Sequence, residues 1–305
     1  MTKSEVIIVT GCSSGIGFEL AKKLVKSEHR CVLTCRSESL EAFKKNLGPI
    51  DAERILIRPL DVTKEAERRA LMEEVSWRFQ QIDVLINNAG IAYRSVVEHM
   101  SDDEESHQMN VNYFGPMALV RLVLPHMRRA GSGRIINVSS VSGMMAMPTM
   151  SSYSASKFAL EGAMESLWYE LKPWNIKVSV IQPGFIRSES FKNVYYSRQA
   201  STCDLKDDAY CRYYATMEPF VEKLMSSSWT SAADIAEKIL RVMRASHPAL
   251  RIPGTLDAQI FYWLRRVLPR RFYHHLLYWS LPKQTRKHSK PSSHRSRSHS
   301  NDDAI

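Results

Sequence analysis

Residues 6–17 read Val-Ile-Ile-Val-Thr-Gly-Cys-Ser-Ser-Gly-Ile-Gly, and this stretch decides the fold. The β-branched run at 6–9 is typical of a fully buried strand, and a helical pattern follows at 18–26. A glycine-rich turn between a strand and a helix directs backbone N–H groups at a phosphate, because glycine permits a tight turn and a close approach of the ligand. The stretch therefore predicts the start of a nucleotide-binding unit.

Strand and helix patterns then alternate as far as residue 252. Apolar strand patterns lie at 31–35, 55–57, 84–86, 133–138, 177–181 and 249–252, and helical patterns at 39–47, 64–81, 102–129, 151–171 and 232–245. Continuous apolar strands that alternate with helices are typical of a doubly wound parallel sheet with helices on both faces, the Rossmann type of α/β fold. Gly115 and Pro116 predict a bend in the fourth helix. We expect a nucleotide-binding catalytic domain over 1–257, with its ligands at the carboxyl ends of the strands.

The end of the second strand bears on the choice of cofactor. In dinucleotide-binding units an acidic residue at this point holds the ribose 2′-hydroxyl of NAD, whereas an Arg accommodates the 2′-phosphate of NADP. Here Cys35 takes the last strand position and Arg36 follows it. This favours NADP(H); the alternative is that Arg36 is a solvated side chain at a strand end.

Tyr153 and Lys157 lie one helical turn apart, on the same face of the helix at 151–171. A phenol has an ordinary pKa of about 10, so it is a poor acid or base at neutral pH. A neighbouring ammonium favours the phenolate and moves its pKa toward the working range. The pair could pass a proton to or from an alcohol or ketone, although the same spacing also describes two neighbours on an ordinary helix surface.

Six motifs stand in order along the chain with family-like spacing. They are Thr10-Gly-x-x-x-Gly-x-Gly17, Asn87-Asn-Ala-Gly90, Asn112, Ser140, Tyr153-x-x-x-Lys157 and Pro183-Gly184. Together they resemble the short-chain dehydrogenase/reductase family over residues 4–255, and within it the glycine turn is most similar to the 17β-hydroxysteroid and retinol dehydrogenases. The resemblance implies an oxidoreductase that interconverts an alcohol and its ketone or aldehyde by hydride transfer. It also implies a homodimer or tetramer, formed through the helices that carry Asn112 and Tyr153.

The resemblance assigns catalytic roles to four residues. Tyr153 would be the general acid in reduction and the base in oxidation, and Lys157 would lower its pKa and bind the nicotinamide ribose. Ser140 would polarise and position the substrate oxygen, with Ser139 as a competing candidate that we interpret as structural. Asn112 would hold a water that relays protons toward Lys157; the alternative is a polar residue at a helix bend.

The other positions carried over from the family are cofactor contacts, which Tyr153 and Lys157 join. They are Gly11, Ser13, Ser14, Gly15, Ile16 and Gly17 at the phosphates and adenosine, Arg36 at the 2′-phosphate, Asp61 and Val62 at the adenine, Asn88, Ala89 and Gly90 after the fourth strand, and Pro183, Gly184, Ile186 and Ser188 around the nicotinamide. Asn87 is expected either to join them or to brace neighbouring strands. The glycine turn contains no basic residue, so the expected NADP preference depends on Arg36 alone.

The cysteines and the N-terminus bear on location. Five cysteines are present, at Cys12, Cys31, Cys35, Cys203 and Cys211, and they show no metal-ligand spacing. We interpret them as reduced, in an intracellular protein, and expect no metal site. The chain begins without a secretory signal pattern, and no apolar run approaches the ~20 residues of a membrane-spanning helix. We therefore expect a cytoplasmic protein, soluble or peripheral on a membrane.

Residues 185–230 interrupt the alternation. They are rich in Tyr, Ser and Met with little periodicity, which predicts an irregular lid over the substrate. The aromatic lid and the apolar C-terminal region favour a lipophilic substrate, such as a steroid, a retinoid or a long-chain carbonyl compound. The alternatives are a 3-oxoacyl thioester or a small carbonyl compound. From a different class, the chain could be a non-catalytic nucleotide-binding regulator or a membrane scaffold.

The positive net charge of +10 is concentrated at the C-terminus. Residues 1–257 hold 32 Lys and Arg against 30 Asp and Glu, whereas 258–301 hold ten Lys and Arg and no acid. At 258–282 Arg pairs alternate with aromatic and aliphatic residues, which is typical of basic amphipathic helices at an anionic membrane surface; such a contact would extend through 258–290. The alternative is packing on the lid or on a sister subunit. Residues 283–305 are predicted to be disordered, and no nucleic-acid-binding module is present to indicate such a partner.

Overall fold

The protein is described by a computed structural model that covers residues 4–187, 194–203, 208 and 210–282. Its strands are β1 (Val6–Val9), β2 (Arg30–Cys35), β3 (Ile55–Pro59), β4 (Val84–Asn87), β5 (Tyr93–Arg94), β6 (Gly133–Val138), β7 (Ile176–Gln182), β8 (Tyr195–Tyr196) and β9 (Arg251–Pro253). Within the described residues, seven of them form one parallel sheet in the order β3-β2-β1-β4-β6-β7-β9, and β5 pairs with β8. The strand order reverses between β1 and β4, where sheets of this kind bind ligands at the carboxyl ends of the strands.

Helices cover both faces of the sheet. They are α1 (Gly15–Leu24), α2 (Leu40–Leu47), α3 (Glu65–Phe79), α4 (Asp102–Met109), α5 (Gly115–Ala130), α6 (Ser151–Leu171), α7 (Arg198–Ser201), α8 (Cys211–Ser226), α9 (Ala232–Arg244), α10 (Leu256–Val267) and α11 (Arg270–Ser280), with short 3₁₀ turns at Ser37–Ser39, Val97–His99, Val141–Gly143 and Lys172–Trp174. One apolar core lies between the sheet and α3, α5 and α6, and a second between the sheet and α1, α2 and α9. The predicted doubly wound fold is confirmed.

The predicted helix at 102–129 is present but is not a uniform α-helix. A π-helical segment, Asn110–Phe114, joins α4 to α5 and includes Asn112. Directly after it, a side chain at Gly115 would come within 2.8 Å of the carbonyl oxygen of Val62. At the predicted bend at Gly115 and Pro116 the helix changes from π to α type, in a place where it passes close to the end of β3.

The prediction that 185–230 is irregular is wrong for its second half. Residues 211–226 form the four-turn helix α8, which buries Cys211, Tyr214 and Met217 at three-residue spacing. Because a tyrosine, a cysteine and a methionine form this inner face among polar neighbours, the apolar period is weak in the sequence. Ser188, expected to contact the nicotinamide, lies outside the described residues.

The prediction of five reduced cysteines is wrong for two of them. Cys203 and Cys211 form a disulfide, whereas Cys12, Cys31 and Cys35 are free and buried as expected. The Cα atoms of the pair lie 5.6 Å apart, a distance at which a disulfide forms. A spacing of eight residues in the sequence gives no sign of this proximity.

A cluster around His99 ties the lid to the body of the protein. The His99 Nε2 atom lies 3.0 Å from a carboxylate oxygen of Asp208, and its Nδ1 atom lies 3.1 Å from the hydroxyl of Tyr214 on α8. Together with Cys203 these groups could in principle ligate a metal, but the sulfur of Cys203 is already bonded to Cys211. We therefore interpret the cluster as an anchor for the lid.

Candidate active site

The glycine turn has no room for side chains. Gly11 has φ +71° and Gly15 has φ +55°, a backbone conformation that favours glycine. A Cβ atom on Gly11 would lie 2.7 Å from the Cα atom of Ala89, and one on Gly17 would overlap the carbonyl oxygen of Gly11. The backbone at the start of α1 can therefore approach a ligand closely.

The N-terminus of α1 is suited to a phosphate. The helix begins at Gly15, its first turn contains no acid, and the side chain of Ser14 caps no N–H group in the described structure. Backbone N–H groups at such a helix end carry a partial positive charge and bind anions. The turn therefore fits the pyrophosphate of a dinucleotide.

Polar side chains join the strand ends behind this turn. The Thr10 hydroxyl accepts hydrogen bonds from the backbone N–H groups of Asn88 and Ala89, both at 3.0 Å. The Asn88 amide donates to the carbonyl oxygens of Thr10 and Gly11 at 3.0 and 2.9 Å. Asn87 donates to Asn137 at 2.9 Å and so braces β4 against β6, which was one of its two expected roles. Thr10, which the sequence analysis left out of the site, is buried and links β1 to β4.

A cleft of about 960 Å³ opens at this edge of the sheet. The predicted site residues that line it are Gly11, Ser13, Ser14, Gly15, Ile16, Arg36, Asp61, Val62, Asn88, Ala89, Gly90, Ser140, Tyr153, Lys157, Pro183, Gly184 and Ile186. Gly17 and Asn112 lie behind the lining. The structure thus brings residues from five of the six motifs to one surface, together with Arg36, Asp61 and Val62.

Tyr153 and Ser140 face each other in the cleft. Burial of the Tyr153 phenol raises its pKa above the ordinary value, and the neighbouring Ser140 hydroxyl offsets only part of this rise. Ser140 is held in turn, because its hydroxyl oxygen accepts from the N–H of Ser142 at 3.1 Å. At neutral pH Tyr153 is therefore a neutral phenol that can donate a proton.

Lys157 lies beside this pair and is buried. Its ammonium donates to the carbonyl oxygen of Val138 at 3.0 Å and lies 5.7 Å from the ring centre of Tyr153. Burial lowers the pKa of Lys157 to about 8, while the carboxylate of Glu161 opposes this shift. Lys157 therefore stays mostly protonated at neutral pH. The pKa of Tyr153 is nevertheless raised, contrary to the lowering that we expected from this neighbour.

Asn112 holds the backbone of the loop that follows β4. Its Oδ1 atom accepts from the N–H of Ile91, and its Nδ2 atom donates to the carbonyl oxygen of Ile91, both at 2.9 Å, and to the Ser156 hydroxyl at 3.0 Å. The space that a side chain would take at Gly90 lies 3.3 Å from Asn112 Oδ1 and 3.6 Å from Lys157 Nζ. The predicted water relay through Asn112 remains a prediction; the contacts with Ile91 give this side chain a positioning role.

Glu161 is a buried carboxylate that the sequence analysis missed. It accepts hydrogen bonds from Ser139 at 2.9 Å, from Gln182 at 2.8 and 2.9 Å, and from Arg251 at 3.1 Å. Ser139 is therefore part of this internal network, in agreement with its structural interpretation. Glu161 could have been found in the sequence, because it lies one helical turn after Lys157 and on the same face of α6.

The adenosine end of the cleft carries Arg36. The Nε atom of Arg36 lies 2.9 Å from a carboxylate oxygen of Glu38, and its Nη1 atom donates to the Tyr195 hydroxyl at 3.5 Å. Its side chain is half exposed, at the cleft margin. Asp61 accepts from the N–H and hydroxyl of Thr63 at 2.9 and 2.7 Å, which fixes the carboxylate beside the cleft.

At the opposite end, the loop after β7 is held from α10. The Gly184 N–H donates to the Thr255 hydroxyl, and the Phe185 N–H donates to a carboxylate oxygen of Asp257, both at 3.0 Å. These two contacts link the expected nicotinamide loop to the C-terminal helices. Neither Thr255 nor Asp257 was expected in the site.

The family model of the short chain dehydrogenases matches residues 5–199 of this chain. The chain belongs to this family. It is an oxidoreductase of the short-chain dehydrogenase type, and the resemblance on which the sequence analysis relied is confirmed.

Several relatives of this short-chain dehydrogenase are known. A "dehydrogenase/reductase SDR family protein 7-like" of Drosophila melanogaster is 32% identical over 287 residues, 93% of this chain and 81% of that protein. A 3-ketodihydrosphingosine reductase of Bacteroides thetaiotaomicron is 41% identical over 180 residues, 59% of this chain and 63% of the reductase. Retinol dehydrogenase 8 of Homo sapiens is 32% identical over 253 residues, 80% of this chain and 79% of that enzyme. The predicted similarity to retinol dehydrogenases is thus confirmed.

The fold of this short-chain dehydrogenase also matches solved structures. The crystal structure of a short-chain dehydrogenase from Streptomyces avermitilis superposes with a TM-score of 0.74 at 29% sequence identity, covering 90% of this chain and 97% of that one. The seven-stranded parallel sheet with flanking helices is therefore the common fold of this family.

Proposed function

We propose that this enzyme uses NADP(H) to interconvert an alcohol on a lipophilic substrate with the corresponding ketone or aldehyde. The observation that carries the proposal is the group in the cleft where the Tyr153 phenol lies beside Ser140 and is flanked by the buried ammonium of Lys157. The same cleft is continuous with the glycine turn at the start of α1. A proton donor and a nucleotide-binding turn in one cleft are the two parts that carbonyl reduction requires.

Each residue of the group has a distinct task in reduction. When bound, a nicotinamide supplies the hydride. Ser140 donates a hydrogen bond to the substrate carbonyl oxygen, and Tyr153 transfers its phenolic proton to that oxygen. The charge of Lys157 stabilises the phenolate that remains, because opposite charges at short range favour the ionised form. In oxidation the phenolate of Tyr153 takes the proton of the alcohol.

The proposed preference for NADP(H) depends on Arg36. Its guanidinium lies at the cleft margin, directly after the last residue of β2. A 2′-phosphate can accept two parallel hydrogen bonds from a guanidinium, which is a stronger contact than a hydroxyl offers. Binding would exchange the contact of Arg36 with Glu38 for one with the phosphate.

The proposed lipophilic substrate is supported by apolar side chains in the lining of the cleft. They are Met147, Met150, Phe185, Val221 and Met225. Methionine side chains are flexible and adapt to an irregular apolar ligand. Two of the relatives, the 3-ketodihydrosphingosine reductase and retinol dehydrogenase 8, are named for lipophilic substrates.

A panel of carbonyl and alcohol substrates, read by nicotinamide absorbance with NADPH, NADP⁺, NADH and NAD⁺, tests the proposal. We expect turnover of long-chain or polycyclic ketones or aldehydes with a clear preference for NADPH. Turnover only of 3-oxoacyl thioesters or small carbonyl compounds would reject the lipophilic substrate, and a preference for NADH would reject the cofactor. Nucleotide binding without turnover of any compound would favour a non-catalytic regulator or scaffold.

A further inference from the structure

The C-terminal helices α10 and α11 pack on the loop that follows the catalytic Ser140. Ala258 and Tyr273 are buried on their inner side, against Val141, Met144 and Met145. Through Thr255 and Asp257, the start of α10 also holds the backbone at Gly184 and Phe185 (see above). The helix pair therefore contacts both loops that border the reacting end of the cleft.

The outer side of α10 carries an apolar stripe. Leu256, Ile260, Trp263 and Val267 follow one another at spacings of four, three and four residues, which places them on one face of the helix. Their side chains are between 49% and 73% exposed. An apolar stripe of this spacing normally packs against a core. Its exposure on α10 therefore indicates a surface that binds a partner.

Helix α11 carries a second exposed stripe. Phe272, Leu276 and Trp279 stand at spacings of four and three residues and are between 47% and 79% exposed. Pro269 separates the two helices. Together the two stripes display two tryptophans, one phenylalanine and four aliphatic side chains to solvent.

Beyond the first turn of α10, the charge around these stripes has a single sign. The one acid of the two helices, Asp257, is partly buried and accepts the backbone N–H of Phe185. Arg265, Arg266, Arg270 and Arg271 lie at the facing ends of the two helices, and the sequence from 258 to 282 contains no acid. The Arg265 guanidinium lies 5.0 Å from the ring centre of Phe158, and that of Arg266 lies 3.8 Å from the ring centre of Tyr262. This face is therefore complementary to a surface that is both apolar and anionic.

We propose that the outer face of α10 and α11 docks on an anionic lipid bilayer, with its aromatic residues in the interface and its arginines on the lipid head groups. Exposed Trp and Phe beside Arg are suited to the boundary between head groups and acyl chains. A second copy of the chain would fit less well. In a two-fold contact the same patch meets itself, so the arginines of one copy would face those of the other with no acid in 258–282 to pair with them.

Docking would place the reacting end of the cleft beside the bilayer. The helices that meet the lipid on one side hold the loops after Ser140 and after β7 on the other. A lipophilic substrate dissolved in the bilayer could then enter the cleft without crossing water. This delivery step rests on the proposed function, whereas the docking itself does not.

Vesicle sedimentation with the full chain tests the docking. We expect binding to vesicles of phosphatidylcholine with added phosphatidylserine, and much weaker binding to phosphatidylcholine alone or at high salt. Replacing Arg270 and Arg271 with Gln should weaken binding about fivefold for each arginine removed. The control changes Arg128 and Arg129, an exposed pair at the end of α5, and should bind like the unchanged chain.

The apolar contact is tested in the same way. Trp263→Ala together with Trp279→Ala should lower the affinity at least tenfold. Two tryptophans that are exposed elsewhere, Trp77 and Trp229, provide the matched control and should be replaceable without effect. A chain ending at residue 282 should still bind, because the docking face does not include the basic tail.

Three outcomes would overturn the proposal. They are failure of the full chain to bind anionic vesicles, unchanged binding by both sets of variants at the helices, and loss of binding when only residues 283–305 are removed. A drop in oligomer size in the tryptophan variants, without a change in vesicle binding, would assign the face to a second copy. Because sedimentation needs no substrate, vesicle binding by a chain without activity would reject the enzyme proposal and retain the docking.

Discussion

The cofactor half of the cleft and its substrate half are held in place by different kinds of contact. At the cofactor half, the contacts are made to the backbone. Gly11 and Gly17 pack so closely that no space is left for a Cβ atom, and the Asn88 side chain donates to main-chain oxygens. At the substrate half, side chains such as Met147 and Met225 form the wall. The lid is anchored to the body of the protein by the contacts of His99 with Tyr214 and Asp208.

This difference in construction means that the reaction and the choice of substrate depend on different parts of the cleft. A site built from backbone cannot change without moving the strands, so it fixes nucleotide binding and the position of the reaction. A wall of flexible side chains can change while the fold stays intact, so it determines the substrate. Variants at the two halves should therefore fail in different ways.

The largest effect is expected from Tyr153→Phe, which removes the proton donor at the junction of the two halves. We expect kcat to fall by about 10²- to 10⁴-fold, the usual contribution of a general acid or base. Nucleotide affinity should stay the same, because the ring remains. Tyr169→Phe, at an exposed position of the same helix, is the matched control. Full activity in the Tyr153 variant would reject the proposed acid.

At the cofactor half, Arg36→Leu should raise the KM for NADPH by about 10- to 100-fold and leave the KM for NADH nearly unchanged. The reason is the loss of charge-assisted hydrogen bonds to the 2′-phosphate. Glu38→Gln removes the acid that Arg36 contacts and should lower the KM for NADPH. If both cofactors respond equally to Arg36→Leu, this side chain does not distinguish them.

Gly17→Ala tests whether lack of space defines the cofactor half. The added methyl group would meet the Gly11 carbonyl and the Asn88 amide, so we expect a loss of about 1–3 kcal/mol in the free energy of unfolding, together with weaker nucleotide binding. Gly162→Ala on α6 is the control, because a Cβ atom there meets nothing within 4 Å in the described structure. Urea unfolding of both variants makes the comparison; equal stabilities would contradict it.

The smallest effect concerns Glu161, which raises the pKa of Lys157. Reduction should slow as pH rises through about 8, since Lys157 then loses the charge that stabilises the Tyr153 phenolate. In Glu161→Gln the carboxylate is gone, the pKa of Lys157 falls, and the decline should begin at lower pH. The pH profile of kcat/KM measures this. A merely structural role would lower the rate without moving the profile.

The parts of the site that sequence reasoning found are local in the chain. The glycine turn at 11–17 and the pair Tyr153 and Lys157 each lie within one turn or one helix, where spacing alone fixes geometry. Glu161 could have been found by the same rule. Its partners Gln182 and Arg251 could not have been found in this way, because they lie on β7 and β9 and not on α6.

The parts that sequence reasoning missed depend on contacts distant along the chain. Phe185 binds Asp257 from 72 positions away, and Thr10 meets Asn88 from 78. The Cys203–Cys211 bond joins two lid residues whose spacing matches no regular element. The inner face of α8 is hard to recognise in the sequence because it consists of Cys211, Tyr214 and Met217. Long-range contacts of this kind leave no regular pattern in the sequence.

None of the helices in 4–187, 194–203 or 210–282 combines the length and apolar character needed to cross a bilayer.

The most direct measurement of the central claim follows the hydride itself. The enzyme is supplied with NADPH that carries deuterium at the transferable position of nicotinamide C4, together with the best ketone or aldehyde from the substrate panel. The account predicts one deuterium on the carbinol carbon of the product, and no label on that carbon when deuterium is present only in the solvent. A product with no carbon-bound deuterium from the cofactor would contradict hydride transfer in this cleft.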